Sequence, residues 1–190
     1  MDAGLVEWLN GWAGKINWLD NIVLAIVSDY FFPVAGSLFL FGLWFYGSGI
    51  ERITNQLNVI AGVMGIGFAN LITQIINHSI YRPRPFVELD LILLFYRPTD
   101  SSFPSNTAAL GFAIATAIFF RFRRLGCFAY LLAIIYGLAR IYSGVHYPTD
   151  IIAGSAIGVA GAASAYFVTT RVLKPLGLRL LGLGRYVFLA

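Results

Sequence analysis

Charge is scarce in this 190-residue chain. Asp, Glu, Lys and Arg make up 12% of it, against 58% hydrophobic residues and a mean hydropathy of +0.76. That balance excludes an ordinary soluble domain, whose charged share is about twice as large. Cysteine is almost missing: Cys127 alone rules out an internal disulfide and reads as a small apolar residue. No Cys/His cluster, paired carboxylates or acidic loop of ligand spacing occurs, so metal-dependent chemistry has no ligands to point to and no cofactor is called for. The N-terminus has neither the basic start nor the small-residue cleavage site of a signal peptide. There is no internal repeat, no low-complexity run and no linker long enough to separate a second domain. The net charge of +4 is not a nucleic-acid signal, because the basic residues are distributed by side.

What is present is apolar length. Five stretches, residues 30–48, 56–77, 105–122, 125–142 and 150–173, each approach the ~20 residues that a helix needs to cross a ~30 Å hydrocarbon core. The expected fold is therefore an all-α polytopic membrane bundle of about five transmembrane helices. Residues 1–29 carry Asp2, Glu7, Lys15 and Asp20 among Trp8, Trp12 and Trp18, the pattern of a helix lying in the headgroup zone. The chain then divides into an interfacial segment (1–29), a membrane domain (30–173) and a basic tail (174–190).

With five spans the connections alternate sides. One side collects Arg52, Arg121, Arg123, Arg124, Arg171, Lys174, Arg179 and Arg185 against Glu51 alone. The other collects Lys15, Arg82, Arg84, Arg97 and Arg140 against Asp2, Glu7, Asp20, Asp29, Glu88, Asp90, Asp100 and Asp150. The basic excess marks the first side, with the C-terminus, as cytoplasmic. The second side would face outward from a bacterial or archaeal plasma membrane.

That outward side holds the chemistry. Arg140-x5-His146-x3-Asp150 joins the fourth and fifth stretches. A histidine backed by a carboxylate and flanked by arginines is what phosphoryl transfer through a phosphohistidine requires. The imidazole attacks, the carboxylate fixes its tautomer, and the guanidinium groups carry the phosphate oxygens. Arg82 and Arg84 stand in Tyr81-Arg82-Pro83-Arg84-Pro85, where two prolines force extended backbone and stiffen the presentation of planar donor forks. Pro104-Ser105-Asn106-Thr107 opens the third stretch. A helix start binds anions through unpaired N–H groups, and Ser105 adds a hydroxyl, with Asn106 beside it as a further candidate. His78 reads as an interfacial residue that could reach phosphate. Gly154-x3-Gly158 allows close helix packing.

In chain order these segments resemble the type 2 phosphatidic-acid phosphatase family, whose wider superfamily includes vanadium haloperoxidases. The family pattern K-x6-R-P, P-S-G-H, S-R-x5-H-x3-D reads here as Asn77-x6-Arg84-Pro85, Pro104-Ser105-Asn106-Thr107 and Ala139-Arg140-x5-His146-x3-Asp150. The likeness covers roughly residues 30–170. It implies an all-helical membrane bundle with His146 as nucleophile, Asp150 as its orienting partner, and Arg84, Ser105 and Arg140 on phosphate. Three positions depart from the pattern. Asn77 stands for a phosphate-binding lysine, Thr107 for the histidine that protonates the leaving group, and Ala139 for a serine. Arg82 could offset the lost positive charge.

The expected function is a lipid phosphatase working at the outer face without metal. Without an acid at Thr107, a leaving group that departs as a phosphate is favoured over an alkoxide, which selects a polyprenyl diphosphate such as undecaprenyl diphosphate. The alternatives are a phosphatidic-acid or phosphatidylglycerophosphate monoester phosphatase, a lipid phosphotransferase, and an inactive phosphate-binding relative. The expected partners are the bilayer and the lipid phosphate or diphosphate. The oligomeric state is left open.

Overall fold

The computed structural model describes residues 2–28, 31–175 and 178–179, and every regular element among them is helical. The helices are α1 (Asp2–Asn10), α2 (Asn17–Val27), α3 (Phe31–Phe45), α4 (Gly49–Ser79), α5 (Pro85–Glu88), α6 (Asn106–Arg121), α7 (Arg123–Tyr142) and α8 (Pro148–Phe167), which runs on into a π-helical turn, Val168–Val172. Most of the basic tail expected over 174–190 (residues 176–177 and 180–190) lies outside the described residues.

Among the described residues three helices are long and apolar enough to cross a membrane: α4, α7, and α8 with its π-helical turn. The pair α2 and α3 passes only together, bent by 51°, and would make a fourth span. At 16 residues α6 is about 24 Å long, short of a ~30 Å core. Length and composition thus give three to four spans where the hydropathy runs predict five. The chain forms an all-α polytopic membrane bundle.

Burial runs inside out, as a lipid solvent requires. On α7 the large side chains Leu131, Ile134 and Leu138 are exposed, while Ala129, Ala133 and Gly137 are buried. The N-terminal boundary of α4 falls seven residues before the apolar run because its polar turns find partners inside. Asn58 Nδ2 donates to Ala117 O (2.9 Å), Asn55 Nδ2 to Tyr46 O (2.9 Å), and Arg121 Nε to Asn55 Oδ1. Arg121 also meets Glu51, so the basic residues Arg121, Arg123 and Arg124 gather at the end of the bundle where α4 begins.

Helix α6 is the centre of the bundle, packed on α4, α7 and α8. Its inner surface is small: Ala108, Ala109, Gly111, Ala113, Ala115 and Ala117 are all buried. Against it α8 presents Gly154 and Gly158. A Cβ at Gly154 would lie 2.2 Å from Ser105 O, and one at Gly158 the same distance from Ala109 O. Both obstacles are backbone, so neither can swing aside. This close approach is what sets the start of α8 directly beside the start of α6.

Gly158→Ala should therefore lower stability by about 2 kcal/mol or more, the range of an overpacked core. Gly67→Ala, where an added Cβ meets nothing within 4 Å, should be neutral or slightly stabilising. Thermal unfolding of the two variants in one detergent compares them, and equal melting temperatures would contradict the packing described.

Candidate functional site

Two helix ends and two helix starts converge at the end of the bundle opposite Arg121: α4 and α7 finish there, α6 and α8 begin. The loop after α4 stays extended, with Arg84 at φ −78°, ψ 154° as the cap of α5. After α7 the chain reverses at Gly144, whose φ of 76° is open to glycine at little cost. This turn carries His146 back beneath the loop that precedes α6.

His146 is 2% exposed. Its Nδ1 lies 3.0 Å from Ser102 O and 3.7 Å from Asp150 Oδ2, while its Nε2 lies 3.2 Å from Arg84 Nη1. The Ser102 carbonyl can only accept, so the proton belongs on Nδ1 and the lone pair on Nε2. Asp150 reaches the ring chiefly through Ser102, whose Oγ donates to Asp150 Oδ2 at 2.5 Å. That same oxygen accepts from Tyr147 N–H at 2.8 Å, and Oδ1 accepts from Arg82 Nη1 at 2.6 Å. Burial lowers the His146 pKa to about 4, with Arg140 and Arg84 adding to the effect against the opposing pull of Asp150. The imidazole is therefore neutral and nucleophilic at neutral pH.

On the Nε2 side lies a cleft of about 250 Å³, lined among others by Asn77, Arg84, Asn106, Thr107, Arg140 and His146. Arg84 Nη1 also donates to Val145 O (3.0 Å), and its Nη2 pairs with Asp100 Oδ1 (2.8 Å). Burial nonetheless holds the Arg84 pKa below the ordinary arginine value, with Asp100 opposing. Arg140 donates to Val27 O at 3.1 Å, and its guanidinium lies 4.8 Å from the Phe95 ring centre. Asn106 Oδ1 accepts from Thr73 Oγ1, and Asn77 Nδ2 donates to the carbonyls of Phe103 and Pro104. Asn77 thus stitches the end of α4 to the loop before α6.

Three candidates from the sequence stand elsewhere. Ser105 caps α6, accepting from Ala108 N–H and meeting Thr107 Oγ1 at 3.1 Å, and does not line the cleft. Arg82 lies behind Asp150. It bridges that carboxylate to Asp2 (2.8 Å) and rests 4.0 Å over the Tyr147 ring. His78 is exposed and outside the cleft.

Four contributors were not singled out from the sequence. Ser102 and Asp100 belong to the polar run Asp100-Ser101-Ser102 just before the Pro104-Ser105 motif, and that adjacency was a usable signal. Asp2 and Thr149 had none. They meet across 147 positions, where Asp2 accepts from Thr149 N–H (3.2 Å) and from its hydroxyl. Burial raises the Asp2 pKa, but the bonds from Arg82 and Thr149 outweigh this and hold it below its usual value.

The depressed pKa of His146 has a signed consequence. Between pH 6.5 and about 4 the unfolded chain takes up a proton on this ring and the folded chain does not. Stability present above pH 6.5 should therefore fall as the pH drops, by a span on the order of 3 kcal/mol. His146→Gln removes that loss. Melting temperatures of wild type and variant should converge on the acid side, and parallel profiles from pH 7 to 4 would contradict a buried neutral imidazole.

Known proteins match the sequence and the fold. Residues 58–173 match the PAP2 superfamily. Undecaprenyl-diphosphatase BcrC of Bacillus subtilis is 29% identical over 92% of this chain and 87% of its own length. Putative undecaprenyl-diphosphatase YbjG of Escherichia coli is 28% identical over 88% and 82%. The crystal structure of Aquifex aeolicus LpxE superposes with a TM-score of 0.70 at 24% identity, covering 86% of this chain and 93% of that one. The family match holds Arg84, Ser105, Arg140, His146 and Asp150 in one block, and the chain belongs to the PAP2 superfamily of membrane lipid phosphatases.

Proposed function

We propose that this protein hydrolyses a polyprenyl diphosphate, undecaprenyl diphosphate foremost, through a phosphohistidine at His146. In the first step Nε2 attacks the terminal phosphorus and the bridging P–O bond breaks. The lipid monophosphate leaves with the electron pair. Nδ1–H stays on the Ser102 carbonyl with Asp150 behind it, so the positive charge that develops on the ring meets a buried carboxylate. Arg84 and Arg140 serve the equatorial oxygens, helped by Asn106 at the start of α6. Arg82 and Ser102 act on Asp150 rather than on phosphate.

One observation carries the choice of substrate. Besides His146, no imidazole lines the cleft among the described residues: His78 is exposed outside it, and the Thr107 hydroxyl is engaged with Ser105. Expelling an alkoxide, whose conjugate acid resembles water with a pKa of about 15.7, calls for protonation in the transition state. Expelling a phosphate monoester, with a pKa of about 6, does not. The name of the Bacillus subtilis relative points to the same substrate class.

The orientation that suits this reaction places the acidic end outside and the end at Arg121–Arg124 in the cytoplasm of a bacterial plasma membrane. In that orientation α6 would act as a fifth crossing, short but enclosed by α4, α7 and α8.

The test is kcat/KM for undecaprenyl diphosphate against phosphatidic acid, with chelator present. The diphosphate should be preferred by ~10²-fold or more, the low end of what general-acid help contributes. Equal values, or a preference for phosphatidic acid, would refute the substrate choice. His146→Ala should abolish turnover and any acid-labile phosphoenzyme, and an active His146→Ala protein would end the mechanism itself.

A further inference from the structure

A phosphohistidine must also be broken, and the second half-reaction needs a base for water. The groups around the cleft narrow the choice. Arg84 and Arg140 are cations. Asn77, Asn106 and Thr107 cannot hold a proton from water, and the tyrosine and serine hydroxyls of Tyr96 and Ser101 are donors and weak acceptors. His146 carries the phosphoryl group. Asp150 has no exposed surface and lies on the Nδ1 side of the ring, away from the reacting phosphorus. Among the described residues that line the cleft, Asp100 is the one carboxylate.

Its placement fits that task. Asp100 Oδ1 holds Arg84 Nη2 at 2.8 Å, and Arg84 Nη1 on the same guanidinium lies 3.2 Å from His146 Nε2. The nucleophile and the carboxylate therefore stand on the two terminal nitrogens of one planar fork. Arg84 cannot drift, being 5% exposed and held at Nε by the Asp100 carbonyl (3.2 Å). The Asp100 side chain is 66% exposed, so it can yield the fork to a phosphate oxygen and lie beside it, open to bulk water.

Resting on the phosphohistidine reaction above, we propose that Asp100 is the general base of the second half-reaction. Water gives a proton to the Asp100 carboxylate as its oxygen bonds to phosphorus. The P–Nε2 bond breaks and its electron pair returns to Nε2, which restores the neutral Nδ1–H imidazole. Inorganic phosphate leaves, and the proton on Asp100 passes to solvent through its exposed face. The carboxylate takes no part in the first half-reaction, which needs no acid when a phosphate departs.

Rapid quench with a polyprenyl diphosphate labelled in its terminal phosphate separates the two half-reactions. Asp100→Asn should keep the burst of lipid monophosphate. Steady-state kcat should fall by about 10²–10⁴-fold, the usual worth of general acid–base help, with labelled phosphohistidine approaching one per site. Rates are normalised to burst amplitude, which counts only folded sites. Asp100→Glu should recover much of kcat, and formate should rescue phosphoenzyme breakdown in Asp100→Ala. Turnover by Asp100→Asn within threefold of wild type, or an equal loss in burst and steady state with no phosphoenzyme, would overturn the assignment, the second result marking a residue that only positions Arg84. Either outcome leaves the nucleophile standing, whereas turnover by His146→Ala in the same assay would remove the first half-reaction and not Asp100 alone.

Discussion

The Asp150 carboxylate has no exposed surface, yet three chain segments are tied to it. Arg82 from the loop after α4 reaches Oδ1, and Ser102 from the loop before α6 reaches Oδ2. The Tyr147 N–H also reaches Oδ2, and the Asp150 backbone carbonyl accepts from Ser105 N–H at 3.0 Å. A buried ion costs several kcal/mol in lost hydration, which only good geometry and full hydrogen bonding offset. Each partner is therefore needed twice, once to make the charge tolerable and once to place its own loop. Ser102 then holds the His146 ring with its carbonyl, and Asp100, two residues earlier, holds Arg84. The site is assembled around one anion that does not line the cleft.

The same logic explains why the N-terminal helix is folded onto this end. Arg82 has a second terminal nitrogen, and Asp2 occupies it while accepting from Thr149 at the start of α8. Asn10, at the other end of α1, donates to the carbonyls of Tyr142 (2.7 Å) and Ile92 (2.8 Å). Helix α1 so closes over the ends of α7 and α8 with polar ties, while Trp8, Trp12 and Trp18 stay exposed in the manner of interfacial anchors. An amphipathic helix expected merely to lie at the headgroups turns out to join a network that runs from Asp2 through Arg82 and Asp150 to His146.

What the sequence made legible follows from the physics of each signal. Hydropathy placed α7 and α8 to within a few residues, because lipid-facing Leu and Ile run along α7 and mostly small apolar residues along α8. It placed the start of α4 late, since Asn55 and Asn58 look like a loop until their partners on α6 and at Tyr46 are seen. It also credited α6 with crossing length, although that helix is apolar from enclosure by its neighbours rather than from contact with lipid. Spacing brought His146, Arg140 and Arg84 to one cleft correctly. It did not separate Arg82, which pairs with Asp150, from Arg84, which lines the cleft, because a regular extended segment would place residues 82 and 84 on one face. Asp2 was beyond reach, for nothing local links residue 2 to residue 149.

Charge balance connects these pieces to the chemistry. Three guanidinium groups, Arg82, Arg84 and Arg140, face three carboxylates, Asp2, Asp100 and Asp150, around an imidazole that burial keeps neutral. These six charges sum to zero, which offsets the cost of burying arginines as deeply as Arg84 and Arg140. A phosphate entering the cleft adds negative charge that only Arg84 and Arg140 are placed to meet. Of the three carboxylates, only Asp100 can give way, because Asp2 and Asp150 are each held by several donors. The exposed carboxylate is therefore the variable element of a fixed electrostatic frame. On the proposed mechanism it leaves the arginine fork as phosphate arrives and takes the proton of a water attacking in line, opposite Nε2.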